Sequence, residues 1–213
     1  MDDLMDDKPH CVVVGAGIVG VTIGIDLLQR GFAVTLIDPN GPVSMTSSGN
    51  AGGFGVTEVM PIAGPGVAWK IPGWLLNPRG PLFIRWGHLP ALIPWLSYFR
   101  KVSTREEVNR IAAVMTGFLG ECMTDTRRLV ASAGLNHLLT EKGSLTVYRS
   151  RSAFARDRLE WEVKKEQGVQ FEYLDHQQIS KMEPALANAN YGWFAPDWCN
   201  TIDPYRLGMG LFS

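Results

Sequence analysis

Three glycines, Gly15, Gly17 and Gly20, stand between an apolar run and an amphipathic segment, and their type and spacing suit one piece of chemistry. Cys11, Val12, Val13 and Val14 form the short apolar run expected of a strand buried in a parallel sheet, and the glycines follow directly. Gly15 permits a tight turn, Gly17 lets backbone approach a pyrophosphate with no Cβ in the way, and Gly20 lets a helix pack close to its sheet. The helix opening there offers free N–H groups and the positive end of its dipole, which suits phosphate. The candidate contacts in this turn are Val14, Gly15, Ala16, Gly17, Ile18, Val19 and Gly20. Asp38 ends a second apolar run, 33–37, about 20 residues further on, where a carboxylate accepts from ribose hydroxyls and repels a 2′-phosphate. Strand, turn, helix, second strand and acid in that order read as a dinucleotide-binding βαβ unit, against the alternative of a glycine-rich turn with no ligand. Because dinucleotide cofactors share an adenosine-diphosphate end, this pattern alone does not choose among them.

Several elements must position these residues. Ile18, Val21, Ile25 and Leu28 recur at helical spacing and should face the sheet, with Gly31 as a left-handed cap. Pro39-Asn40-Gly41-Pro42 then breaks the chain, and 44–81 is rich enough in Gly and Pro to read as one long loop. Such a loop is usually functional. Within it Thr46, Ser47, Ser48, Asn50, Ala51 and Gly52 combine hydroxyls with small residues and are further candidate contacts, the alternative being a surface turn. From Trp74 to Arg100 one or two short helices broken by Pro81, Pro90 and Pro94 are expected. Thr104 with Glu107 makes a capping box for a helix striped by Val108, Ile111, Met115, Phe118 and Cys122 and running to about Gly134. The remainder reads as a mixed region: strands over 144–148, 169–174 and 191–195, a helix over 152–167 closed by Gly168, and a short helix after Asp175. Asp203 and Pro204 start a last helix. It has no C-terminal cap before Ser213, so a truncated chain is expected.

Composition excludes several classes. The chain has 213 residues, 46% hydrophobic, with a formal charge of -1 that favours neither nucleic acid nor a solvating acidic tail. Three dispersed cysteines form neither a disulfide framework nor a zinc motif, and no metal site is expected. The first eight residues are too acidic for a secretory signal, and no apolar stretch reaches the length of a membrane span. His10, His88, His137 and His176 are scattered, so no catalytic residue is assigned. Trp69, Trp74, Trp86 and Trp95, interleaved with Lys70, Arg79, Arg85 and Arg100, read as a packing element, with a membrane-surface segment as the alternative. Arg127-Arg128 and Lys164-Lys165 read as solvated helix faces.

The chain resembles the D-amino-acid-oxidase-type flavoprotein family, most closely its D-amino acid dehydrogenase branch. The resemblance rests on Val12-Val-Val-Gly-Ala-Gly-Ile-Val-Gly-Val21, Thr46-Ser47 with Asn50-Ala51-Gly52, Pro65-Gly66-Val67, Trp74-Leu75-Leu76, Gly80-Pro81-Leu82, Gly143-Ser-Leu-Thr-Val-Tyr148, Gly168-Val169 and Glu183-Pro184-Ala185-Leu186. It implies FAD as cofactor and oxidation of an amino acid, in this branch a D-amino acid, to an imino acid by hydride transfer to flavin. It implies an amino acid substrate, a quinone or respiratory-chain electron acceptor, and a cytoplasmic place that includes the inner face of the plasma membrane. The loop reads Asn50-Ala51-Gly52-Gly53-Phe54 where dehydrogenases of this branch carry Gln or a similar residue after Asn-Ala-Gly, which leaves the substrate open. Family members run to roughly twice this length, with the substrate-carboxylate residues in the other half. The expected fold is α/β: a Rossmann-like FAD-binding βαβ unit with a helical insertion and a second mixed-sheet substrate domain, truncated. The expected spans are 1–58 for the FAD-binding unit and ligand loop, 59–139 for the loop and helical segment, and 140–213 for part of the substrate domain with a helix returning to the FAD domain. A nicotinamide-binding dehydrogenase and a non-catalytic fragment are the alternatives.

Overall fold

The computed structural model describes residues 8–65, 67, 71, 73, 74, 77 and 85–213. The expectations at Gly66, Trp69, Lys70, Leu75, Leu76, Arg79, Gly80, Pro81 and Leu82 lie outside them. The chain divides into two compact units, one of 1–55, 123–143 and 198–213 and the other of 56–122 and 144–197. The units are interleaved along the chain.

In the first unit, strand β1 (His10–Val14) runs parallel to β2 (Ala33–Ile37), with Val14 opposite Ile37. Helix α1 (Ile18–Gln29) joins them. Its buried face centres on Gly20, Val21 and Gly24, because a helix packs closest where there is no side chain. Ile18 and Ile25 pack at the edge of that face, while Leu28, expected to be buried, is 58% exposed. Gly31 takes φ +88, and the chain leaves the helix with Gly31 N–H donating to the Leu28 carbonyl and Phe32 N–H to that of Leu27.

Two pieces from later in the chain complete this unit. Three very short strands, β3 (Gly53–Phe54), β4 (Leu139–Thr140) and β8 (Cys199–Thr201), form an antiparallel sheet in the order β3-β8-β4. Helix α4 (Cys122–Ser132) and the terminal helix α8 (Pro204–Phe212) supply Val130, Leu207 and Leu211 to a core shared with Val21, Val43 and Leu138. Asp203 caps α8 by accepting from Arg206 N–H at 2.9 Å.

The second unit holds the antiparallel sheet β5 (Ser144–Tyr148), β7 (Tyr191–Ala195) and β6 (Glu172–Asp175), with β7 in the middle. Helix α7 (His176–Met182) packs Ile179 under one face beside Leu174 and Ala189. Helices α5 (Arg151–Arg156) and α6 (Arg158–Glu166) put Phe154 and Trp161 among the rings of the other face. The expected continuous helix over 152–167 is thus divided at Asp157, and the strand expected from Val169 begins only at Glu172, because Val169 packs into a helical core beside Val163.

The helices of the 89–132 stretch also differ from expectation. Helix α2 (Leu89–Val102) takes Pro90 in its first turn and runs on through Pro94, which therefore does not break it. Helix α3 (Arg105–Leu119) starts at Thr104, whose hydroxyl accepts from Glu107 N–H at 3.3 Å. The Glu107 carboxylate does not complete a capping box; it accepts from Arg110 at 2.9 Å. The helix expected to reach Gly134 ends at Gly120, and Phe118 is 78% exposed. Lys164, expected on a solvated face, is buried at 3% exposure. Its ammonium lies 2.9 Å from Glu160, 3.1 Å from Glu58 and 4.8 Å from the centre of the Trp161 ring. Glu58 is distant in sequence, so no local charge pattern announces this pairing.

Candidate functional site

The glycine turn is held by three kinds of close approach. Gly15 takes φ +102 and donates to the Ile37 carbonyl at 2.7 Å, fixing the turn to the end of β2. A Cβ on Gly20 would lie 1.8 Å from the Gly15 carbonyl oxygen, so only glycine closes the helix onto the turn. A Cβ on Gly17 would lie 3.0 Å from the Ser47 hydroxyl. Ala16, between them, is buried, and its carbonyl accepts from Val43 N–H at 2.9 Å.

Asp38 sits at the end of β2 with its carboxylate toward this turn. Oδ2 accepts from Ala16 N–H at 3.0 Å and Oδ1 from Asn40 N–H at 2.8 Å. These two amide donors, Ala16 first, hold its carboxyl below the usual carboxylate range. The side chain remains open to solvent and to a ligand, since each oxygen has a further lone pair.

Ser47 comes from the loop to the start of α1, where its hydroxyl accepts from Ile18 N–H at 2.9 Å. The N–H groups of Gly17, Val19 and Gly20 make no hydrogen bond to protein among the described residues. A helix start with several unused donors is a ready anion site.

Asn50 organises the loop. Its amide nitrogen donates to the Ser47 carbonyl at 3.1 Å and the Thr46 carbonyl at 3.4 Å, and its amide oxygen accepts from Gly52 N–H at 2.7 Å. Gly52, at φ +69, accepts from Thr201 N–H at 2.7 Å. A Cβ there would meet the Thr201 carbonyl oxygen at 2.6 Å, so the loop lies flat against β8. Ser48 turns its hydroxyl back onto the Met45 carbonyl at 2.7 Å, while the side chains of Thr46, Val14 and Val19 are exposed.

Ile18, Ser47, Asn50, Ala51 and Gly52 together line one side of a cavity of about 530 Å³ within this unit. Thr22, Phe54, Trp198, Thr201 and Leu207 are among the other residues that line it. None of these five is visible as a site residue in the sequence, because their elements meet only in the fold. Val43 was also missed. It is a buried residue at φ 54, costly for a β-branched side chain, held by its bond to Ala16 and packed against Gly208. Of the histidines, His10 bonds Thr35 at 3.0 Å and His176 bonds the Ala189 carbonyl at 2.9 Å, and neither lines the cavity.

Residues 10–213 match the DAO family, described as FAD dependent oxidoreductase. The chain belongs to this family. Its cofactor is FAD, and the open amides of the 17–20 turn, with an acid at the end of β2, fit the adenosine-diphosphate end of that molecule.

Among curated DAO-family relatives, a D-amino-acid oxidase of Bradyrhizobium diazoefficiens is 37% identical over 185 residues, 85% of this chain and 44% of its own length. A D-amino acid dehydrogenase 2 of Ralstonia nicotianae is 34% identical over 208 residues, 94% of this chain and 48% of its own. The chain thus spans under half the length of these relatives. Solved structures of glycine oxidases from Bacillus cereus and Geobacillus kaustophilus share the fold, with TM-scores of 0.56 and 0.57 over 96% and 94% of this chain and 42% of theirs. Their identities to it are 14% and 18%. No helix among the described residues is long and apolar enough to cross a membrane.

Proposed function

We propose that this chain supplies the cofactor-binding part of an enzyme that oxidises an amino acid, specifically a D-amino acid, to its imino acid. The observation that carries this reading is the helix start at Gly17–Gly20, with unused amide donors beside the Asp38 carboxylate. The substrate class rests on two relatives above 30% identity, one named D-amino-acid oxidase and the other D-amino acid dehydrogenase.

FAD, when bound, supplies the acceptor for the hydride leaving the substrate Cα. The amides of Gly17, Val19 and Gly20 would hold its pyrophosphate, and Asp38 would accept from the ribose hydroxyls. Val14, Gly15 and Ala16 shape that turn, and Ile18 with Thr46, Ser47, Ser48, Asn50, Ala51 and Gly52 borders the path beyond the phosphates. Hydride transfer needs alignment more than it needs a dedicated acid or base. A quinone of the respiratory chain is the electron acceptor in this reading, with the enzyme in the cytoplasm or on the inner face of the plasma membrane. Ile93, Trp95 and Tyr98 are exposed on α2 near Arg100 and Lys101, which supports a surface contact of that kind.

The test is dye-linked oxidation by residues 1–213 fused to the remaining C-terminal part of the Ralstonia nicotianae relative. D-alanine is expected to reduce the dye and L-alanine is not, and residues 1–213 with added FAD are expected to reduce none. Equal rates with both enantiomers would remove the assigned substrate class. Turnover by residues 1–213 alone would show that no further part is needed.

A further inference from the structure

We propose that the second unit carries a binding site for a small planar aromatic anion in the cleft between α5, α6 and the β5-β7-β6 sheet. The cleft has a volume of about 810 Å³, in the range of small-molecule sites. Its walls are the rings of Phe154, Trp161, Phe171, Tyr173, Tyr191 and Trp193. Phe154 stacks on Tyr191 and Trp193 at 5.3 and 5.4 Å between centroids, and Phe171 meets Trp193 edge-on at 5.1 Å. Stacked and edge-on walls of this kind present both ring faces and ring edges, the two surfaces on which another flat ring settles.

The cluster is not a closed core. Tyr173 is 44% exposed, and the buried indole N–H of Trp193 has no acceptor among the described residues. By contrast the Trp161 indole donates to the Tyr148 hydroxyl at 2.9 Å.

The charge at the mouth selects the ligand. Arg151, Arg158 and Lys165 border the cleft with a single acid, Glu162. Arg158 and Glu162 bond each other at 2.5 Å, so that pair cancels. Arg151 and Lys165 have no ion-pair or hydrogen-bond partner among the described residues. Two unmatched cations over an aromatic floor favour a flat ring bearing a carboxylate over either a neutral ring or a cation. The cleft lies in the second unit and shares no residue with the cavity beside the glycine turn, so this site does not depend on the proposed oxidation.

Titration of indole-3-acetate into the ¹⁵N-labelled protein tests the site, with the uncharged indole-3-ethanol as control. Saturable shifts of the Trp161 and Trp193 indole N–H signals are expected, with indole-3-ethanol binding about tenfold more weakly or less. The double substitution Arg151→Ala/Lys165→Ala should weaken indole-3-acetate by about tenfold or more and leave indole-3-ethanol unchanged. Both cations are on exposed helix surface, and unchanged signals of the other indoles verify that the variant is folded. No saturable shift at the two indoles, or an affinity that the double substitution leaves alone, would overturn the proposal.

Discussion

Asp38 clamps the glycine turn through Ala16 N–H, and in the proposed function its remaining lone pairs accept from a ribose. Asparagine at this position offers one acceptor oxygen and sets an NH₂ against the second amide. Asp38→Asn is therefore expected to weaken ADP binding about tenfold or more, read by calorimetry. The pH dependence follows from the lowered carboxyl. Its stabilising contribution is complete above the ordinary carboxylate range and disappears as pH falls through the lower folded value. The amide signals of Ala16 and Asn40 should report that transition in the unsubstituted chain and lose it in Asp38→Asn. Gly20 is constrained more tightly, since its missing Cβ leaves room for the Gly15 carbonyl oxygen. Gly20→Ala should cost about 3 kcal/mol or more in urea unfolding, as an overpacked buried contact that only backbone movement relieves.

Among the elements, those written in local pattern were legible and those made by distant partners were not. The strands 33–37, 144–148 and 191–195 coincide with β2, β5 and β7, because runs of five apolar or alternating residues carry their own period. The strands β3, β4 and β8 are two or three residues long and have no period to read. The glycine turn and Asp38 were legible for the same local reason. Thr22, Phe54, Trp198, Thr201 and Leu207 were not, since their shared cavity exists only after β8 and α8 return to the first unit. Helix length was overestimated at Gly120 and Asp157, where the apolar stripe continues past a backbone break. The helix start after Asp175 was legible at α7, where Asp175 accepts from Gln178 N–H at 2.9 Å and the Gln178 side chain accepts from Asp175 N–H at 2.9 Å. Asp175→Ala should lower stability by about 1 kcal/mol in thermal or urea unfolding, with Asp175→Ser retaining most of it.

For the whole molecule, the chain leaves the first unit after β3, builds most of the second, and returns twice, through α4 with β4 and through β8 with α8. In the proposed cofactor site the phosphate grip comes from the first forty residues, and the last sixteen add Trp198, Thr201 and Leu207 to the cavity wall. The proposed phosphate grip can be tested without turnover. The most direct measurement is the shift of backbone amide signals when ADP, and separately FAD, is titrated into the ¹⁵N-labelled chain. The account predicts that both ligands shift Gly17, Val19 and Gly20 in the same direction, with Ala16 and Ile18 following through Asp38 and Ser47. Amides of the 15–20 turn that stay unmoved at millimolar ADP and FAD, or shifts confined to another part of the chain, would contradict it.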